Sequence, residues 1–410
     1  MMHPKMQYTY VGIDSHKDTH TAVLLNCFFE KLGELTFDNL PSRFNAFLAD
    51  AQCFKMEGTV LLFGLEDTSA YGKNLMTFLK SNDQQVKHVS SLLVARERKN
   101  QNIVQKTDAV DAECAARVLL SKFGTLPDAV PEETYWILRS LVVRRAALVK
   151  QNVASKNMLH SFLTQHYPNY RQFFENIDCD TALAFFEQYP SPQLLSDTAV
   201  EHLAAFLEMH SGKFYGLDKA KEILDTLQDT AVPFQEMRDA IIQSIVKQVR
   251  YYLAEIAQLD VQLAAFLERL ECPLLSMTGM DVVSAAQIMS CIGDIRKFST
   301  PAKLARYAGI APITYSSGKS DIQYANQRGN RELNTLFYNL AVRLTMTAGP
   351  SRRIINSFCY DYYHHKRSEG KTKRQALKCV ERRLVNIVWA MLTNNEEYVN
   401  PPTYNAPPKI

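Results

Sequence analysis

Residues 8–25 read Tyr-Thr-Tyr-Val-Gly-Ile-Asp-Ser-His-Lys-Asp-Thr-His-Thr-Ala-Val-Leu-Leu. Two short apolar runs, Tyr8 to Asp14 and Thr19 to Leu25, flank the polar turn Ser15-His-Lys-Asp18, which is the pattern of an antiparallel hairpin. Working outward, Phe28 to Phe37 supplies a third strand, and Phe44, Phe47 and Leu48 mark one helix face. Thr59 to Leu65 has the composition of a buried strand, Leu75, Phe78 and Leu79 belong to the helix after it, and Val86 to Val89 is a further strand. Asp108 to Lys122 closes the region as a helix, with Thr107 placed to cap it.

Three strands followed by alternating helix and strand is the order of a ribonuclease-H-like (RuvC-like) domain of the α/β class, expected over 1–125. Residues 126–270 read as helical. Ile242, Ile245, Val249, Tyr252, Ile256, Leu259, Leu263, Phe266 and Leu270 alternate steps of three and four, which is coiled-coil spacing. That stripe serves either self-association or packing against a helix of the same chain, such as the one near Leu138 to Phe162. A small helical insertion is expected near 168–235, where Pro190, Pro192 and Pro233 fall. Residues 271–390 form a mostly helical C-terminal unit. In it, Leu275 to Ala286 resembles a helix-hairpin-helix element, whose Gly-centred turn brings backbone N–H groups to a phosphate. The Pro-containing tail 391–410 is expected to be disordered.

The 410 residues include 46 Lys and Arg against 43 Asp and Glu, a formal net charge of +3. That near-neutral total conceals a division: Arg296 to Arg383 carries +13 and the rest of the chain −10. A basic block of this size reads as a nucleic-acid footprint. No run approaches the roughly 18 uncharged apolar residues of a membrane-spanning helix. The N-terminus lacks a signal-peptide profile, so a cytoplasmic location is expected. The eight Cys include no C-x-x-C pair, which argues against a disulfide framework or a zinc ribbon.

Asp14 ends the first strand and Glu66 follows the strand Thr59 to Leu65. In a sheet of this order those strands are neighbours, which brings the two carboxylates together. Asp108 and Asp111 are three apart and share a helix face. Four carboxylates in one place repel unless cations sit between them, and oxygen ligands suit Mg2+ or Mn2+. Asp67 and Glu113 sit off the expected face. His16 and His20 have the spacing of a helical metal pair, but a strand and turn would not point them the same way.

Val11-Gly-Ile-Asp14 with Lys17, Leu65-Glu66-x-Thr68 with Tyr71, and Lys106-Thr-Asp108-Ala-Val-Asp111-Ala112 resemble the acidic motifs of the DEDD transposases. These are the serine-bearing insertion-sequence recombinases that include the pilin-gene-inverting proteins. Gly279, Ile292-Gly-Asp294, Phe298, Leu304-Ala-x-Tyr307-Ala-Gly309-x-Ala-Pro312, Ser317-Gly318 and Gly329-Asn-Arg331 resemble the C-terminal motifs of the same family, in its order. The resemblance covers roughly 8–120 and 271–345.

What the resemblance implies is a DNA recombinase, a transposase or site-specific invertase, with a two-part active site. Asp14, Glu66, Asp108 and Asp111 would hold divalent metal, Mg2+ or Mn2+. Ser317 would attack DNA to form a phosphoserine intermediate, with Ser316 its competitor for that role. Lys17, Gly279, Lys319, Arg328 and Arg331 are the expected nucleic-acid contacts. The implied partners are DNA, a guide (bridge) RNA, and further copies of the chain in a homodimer or homotetramer. The aromatics among the basic residues, Tyr307, Tyr315, Tyr324, Phe337, Tyr338, Tyr360, Tyr362 and Tyr363, suit either core packing or base stacking. Two positions depart from the family pattern: Ser69 stands where Gly is usual, and Asn334 where Arg is usual. Two rival readings are a structure-selective metal-dependent nuclease using the acids alone, and a catalytically silent nucleic-acid-binding protein.

Overall fold

The structure is a computed structural model that describes residues 3–66, 70–129, 133–227, 233–317, 320–324, 326 and 328–399, with backbone alone at 133, 314–317 and 320–323. The chain divides into two compact units, Met1–Trp136 and Ile137–Ile410.

In the first unit the hairpin forms as the alternation requires. Strand β1 (Tyr8–Ser15) pairs antiparallel with β2 (Thr19–Leu25), setting Asp14 opposite Thr21 and Ser15 opposite His20. Strand β3 (Lys31–Asp38) continues the meander and starts three residues later than Phe28, because the Asn26 side chain closes a turn on the backbone N–H groups of Phe28 and Glu30. After helix α1 (Pro41–Cys53), strand β4 (Val60–Leu65) lies parallel to β1, with Ile13 paired to Leu65. Helix α2 (Lys73–Ser81) leads to β5 (Gln85–His88), parallel to β4. The five strands run β3-β2-β1-β4-β5 across the sheet.

One sheet face carries an apolar cluster in which Phe44, Phe47, Phe63 and Leu79 are buried. Helix α3 (Ser91–Asn100) has no clear signal in the sequence: its mixed Leu92-Leu-Val-Ala-Arg-Glu-Arg-Lys99 stretch buries Val94 alone and shows little periodicity. Across the other sheet face lies α4 (Asp108–Lys122), which Thr107 caps by accepting from the Val110 N–H at 3.2 Å. Gly12 permits this packing: a Cβ there would lie 2.1 Å from the Ala116 nitrogen and 2.2 Å from the Ala112 carbonyl oxygen. Gly64, paired to Gly12, leaves room for the side chains of Val89 and Leu119. Gly12 and the alanines of α4 bring helix and sheet backbones together, and this docking sets the position of the helix's acidic first turn.

The second unit is built on two long helices. Helix α5 (Glu133–His166) and α9 (Gln235–Arg269) run antiparallel: Arg145 pairs with Asp260, Ser155 donates to Gln248 at 2.9 Å, and Arg238 donates to Gln165 at 2.6 Å. The heptad stripe of α9 is therefore used inside the chain. Its first half, Ile242, Ile245 and Val249, is buried with Leu159 and Leu163 of α5. Of the two uses open to that stripe, packing against a helix of the same chain is the one seen on this segment. Helices α6 (Asp180–Gln188), α7 (Val200–Ser211) and α8 (Leu217–Asp225) form the insertion, and their Phe185, Phe186, Leu203, Leu207 and Ile223 complete the same cluster.

Beyond α9 follow α10 (Val282–Ile292), α11 (Pro301–Tyr307), a hairpin of β6 (Ile313–Ser317) and β7 (Ser320–Tyr324), and α12 (Arg331–Leu344). A two-residue ladder, β8 (Thr347–Ala348) with β9 (Arg353–Ile354), precedes α13 (Ser357–Ser368) and α14 (Lys373–Asn394). Helix α14 packs against α11, α12 and α13 and runs four residues into the stretch expected to be disordered. The rest of that tail beyond 399 lies outside the described residues. No described helix is long and apolar enough to cross a membrane.

Candidate active site

Side chains alternate along a strand, so Gly12 and Asp14 share the face of β1 on which α4 lies. With the helix pinned at Gly12, its first turn stands beside the C-terminal end of β1, where Asp14 is buried to 8% exposure. Glu66 follows β4 directly, its N–H reaching the Ile13 carbonyl at 3.5 Å. Three elements thus deliver acids to one edge of the sheet: Asp14 from β1, Glu66 from beyond β4, and Asp108 and Asp111 from α4.

Their electrostatics show how close they are. Burial pushes the Asp14 carboxyl above its ordinary range, and the charges of Asp111 and Asp108 push it further, against the opposing pull of His16. Burial likewise raises Glu66, assisted by Asp14 and Asp111 and opposed by Lys106 and Arg98. Two carboxylates raised by burial and by neighbouring acids are a site prepared for positive charge.

Two residues that the sequence pattern does not assign to the site belong to it. The His16 Nε2 stands 3.1 Å from Asp14 Oδ2 and 3.2 Å from Asp108 Oδ1. One ligand atom from each of Asp14, His16 and Asp108 lies within 4.8 Å of the other two, an arrangement open to a metal ion. The spacing of His16 to His20 points to a helical pair that a strand and turn cannot form. The turn after β1 instead folds His16 back toward its own strand end, and the Asn39 side chain holds that turn through the His16 and Lys17 carbonyls, both at 3.2 Å. His20 is buried on β2 against the rings of Phe37 and Phe44, away from this cluster. The second residue is Arg98 of α3, which pairs with the buried Asp111; Lys106 stands 3.9 Å from the same carboxylate. The Lys106-Thr-Asp motif therefore combines a cation for Asp111, a cap for α4, and an acid of the site.

The other acids and motif residues are more dispersed. Glu113 forms a pair with Arg117 at 2.8 Å, and Asp67 and Ser69 lie outside the described residues. Lys17 is exposed in the hairpin turn. In the second unit, Gly279 has φ +89°, and a Cβ there would lie 2.4 Å from Leu344 Cδ2. The start of α10 beside it is already served by an anion of the chain: Asp281 accepts from the Ser284 N–H at 2.6 Å and pairs with Arg343, which also donates to the Gly279 carbonyl at 3.2 Å. Asp281 thus caps the helix that starts at this turn, and Gly279 permits its close approach to Leu344.

Ser316 and Ser317 end β6, where Ser317 is paired with Ser320; their side chains, with Gly318 and Lys319, lie outside the description. The motifs around this hairpin build its support. Gly309 has φ +69°, and a Cβ on Gly329 would lie 2.3 Å from the Gly309 backbone. Asn330 caps α12 through the Leu333 N–H, and its own N–H donates to the Tyr307 carbonyl at 2.7 Å. Asn334 donates to the Ala308 carbonyl at 2.9 Å, so the Asn that replaces Arg here ties α12 to α11. Arg328 and Arg331 are exposed on the segment that follows the hairpin. Phe337 is fully buried and belongs to the core.

Residues 11–168 match the IS110-type DEDD transposase model, and residues 272–354 match the model for transposases of the IS116/IS110/IS902 family. The chain is 27% identical to an insertion element IS116 protein of Streptomyces clavuligerus, over 96% of each chain. It is 27% identical to an insertion element IS110 protein of Streptomyces coelicolor, over 95% of each, and 22% identical to the pilin gene-inverting protein of Moraxella lacunata, over 96% of this chain and 98% of that one. The two family descriptions name transposases, one of them DEDD; the serine in the expected family description is no part of them. Two matches in one order, together spanning more than half of the chain, place it: it belongs to the IS116/IS110/IS902 family of transposases.

Proposed function

We propose that this transposase recombines DNA at a ribonuclease-H-like, RuvC-type acidic centre formed by Asp14, Glu66, Asp108 and Asp111. The observation that carries the reading is the convergence of acids from β1, β4 and α4, with Asp14 and Glu66 held above the ordinary carboxylate range. The strand order β3-β2-β1-β4-β5, with its antiparallel first half and parallel second half, supports the fold assignment. The donor set of oxygens and one imidazole suits Mg2+ or Mn2+. Asp14, Glu66, Asp108 and Asp111 would hold the ions, with His16 bridging Asp14 and Asp108. Bound there, divalent metal would supply charge for the oxygens that enter and leave phosphorus.

The chain's own residues orient this centre. His16 fixes the relative position of Asp14 and Asp108, and Arg98 with Lys106 fixes Asp111. Ser317, at the motif position before Gly318, is proposed as the nucleophile. Its Oγ would bond to phosphorus while a deoxyribose hydroxyl leaves with the proton, and the phosphoserine ester keeps the bond energy needed for rejoining. The Ser–Gly pair suits an exposed hydroxyl on a permissive backbone. Strand exchange needs several cuts, which supports a dimer or tetramer. Guidance by a bridge RNA is proposed on the family resemblance alone.

The test is purification with sequencing of any co-bound nucleic acid, followed by incubation with the DNA ends of the element that encodes the chain. The expected result is cutting that requires Mg2+ or Mn2+ and is lost in Asp108→Asn. Cutting unaffected by chelator would overturn the metal assignment.

A further inference from the structure

Helices α13 and α14, beyond the family match that ends at residue 354, form with Ile310 and Pro312 a pocket to which no function attaches. It lies between the segment leading into β6, helix α13 and helix α14, is open to solvent, and has a volume of about 750 Å³. Four cations line it: Lys371, Lys378, Arg382 and Arg383, with no acid among the described lining residues. Ile310, Pro312 and Cys379 supply an apolar wall, and Tyr362 a ring over which the Arg383 guanidinium sits at 5.5 Å.

These cations are only partly neutralised by the protein. Lys378 holds Glu381 and Lys371 holds Glu369, each at 2.7 Å. Arg382 donates to Asn386 at 2.7 Å and to the Pro301 carbonyl at 3.3 Å, which fixes its guanidinium at the rim. With Glu369 and Glu381 each holding one lysine, the charges of Arg382 and Arg383 remain without an acid among the described lining residues. An inorganic anion would satisfy the cations and leave the apolar wall unused. A duplex keeps its bases inside and would offer that wall nothing. A ligand with phosphates on one side and an accessible base or sugar on the other uses both, and the volume falls within the roughly 300–1,000 Å³ range of ligand sites.

We infer that this cavity is a binding site for a single-stranded nucleic-acid segment, with phosphates on Lys371, Lys378, Arg382 and Arg383 and a base or sugar against Ile310, Pro312 and Tyr362. Pro312 immediately precedes β6, the strand that ends at Ser317, so a strand seated here is held at the root of the hairpin that carries the proposed nucleophile. RNA and DNA share this chemistry. The inference rests on the proposed function only in taking nucleic acid to be the chain's working partner.

Cys379, on the cavity wall and half-buried, reports occupancy directly, and the exposed Cys53 of the first unit serves as the internal control. The full chain is alkylated with a maleimide, alone and with a saturating single strand of about 16 nucleotides, as RNA or as DNA of the same sequence, and labelling is mapped by mass spectrometry. The site predicts that the strand slows labelling of Cys379 several-fold and leaves Cys53 unchanged. Protection by RNA alone, by DNA alone or by both identifies the source. A second measurement is the salt dependence of affinity by fluorescence anisotropy. The Lys371→Gln, Arg383→Gln double variant should weaken binding and lower the slope of log K against log salt by about 1.4, at about 0.7 for each phosphate left without its cation. Unchanged Cys379 labelling with saturating strand, or an unchanged slope, would overturn the site. Asp14→Asn separates the two proposals, because it should abolish cutting and leave Cys379 protection intact. Protection without any cutting by wild type would count against the proposed reaction and not against this site.

Discussion

The imidazole of His16 stands 3.1 Å from the carboxylate of Asp14, on the turn that immediately follows the strand bearing that acid. The same ring nitrogen lies 3.2 Å from Asp108, so one side chain links β1 to the first turn of α4. If His16 takes part in holding metal, His16→Ala should weaken Mn2+ affinity by about tenfold, within the range found for residues supporting metal sites. Titration calorimetry on the full chain measures this. Unchanged affinity would reduce His16 to a tether between two acids.

The raised carboxyls of Asp14 and Glu66 set a pH dependence. Their folded-state pKa values lie above the unfolded ones, so the folded chain binds these protons more tightly. Without metal, stability should therefore fall as pH rises from the ordinary carboxylate range through the raised folded values. Divalent cation at neutral pH should restore it. Asp14→Asn should melt higher than wild type at neutral pH in chelator and gain less from added Mg2+. Thermal unfolding with and without chelator checks both signs.

Arg98 faces Asp111, whose side chain is 9% exposed. Arg98→Gln leaves that acid short of its main partner and should cost about 2–3 kcal/mol, at or below the lower end for a buried pair because Arg98 itself is partly exposed. Denaturant unfolding measures the loss. A neutral result would show that Lys106, 3.9 Å away, suffices.

The helix pair of the second unit makes a separate prediction. Ile245 of α9 is 5% exposed within the cluster that includes Leu159 and Leu163 of α5. Ile245→Ala should destabilise by about 2–4 kcal/mol. The loss should be the same at chain concentrations differing about tenfold, whereas a seam between two copies would make it grow on dilution.

Asp281 tests the turn at Gly279. Burial pushes its carboxyl up, but the Ser284 N–H, the Ser284 hydroxyl and Arg343 outweigh that and hold it below the ordinary range. The stability it contributes is present above the usual carboxylate pKa and is lost as pH falls through the lowered folded value. Asp281→Ala should cost about 1 kcal/mol at neutral pH and nothing in strong acid.

Much of this was legible in the sequence because it depends on local pattern. The alternation on either side of Ser15-His-Lys-Asp18 marks the hairpin, and Thr107 before Asp108-Ala-Val-Asp111 marks the capped helix. Neighbouring strands then place Asp14 and Glu66 together. What stayed hidden depends on tertiary contact. Arg98 lies on a helix with little periodicity, and its pairing with Asp111 exists only once α3 packs beside α4. His16 needed the path of a turn, which spacing cannot supply. The stripe on α9 marked an apolar seam but not its partner, since the same heptad serves a second chain or α5 equally well. The pairing of Asp281 with Arg343, 62 residues on, likewise has no local signature.

The central claim is that the acids at the β1–β4 edge cut DNA and that Ser317 carries the cut end. Covalent trapping measures both at once: labelled DNA of the element's ends is incubated with the full chain and Mg2+ or Mn2+, then resolved under denaturing conditions. A protein–DNA adduct is expected with wild type, with none from Asp14→Asn and none from Ser317→Ala. Adduct formation by Asp14→Asn at the wild-type level, with either metal, would contradict the account.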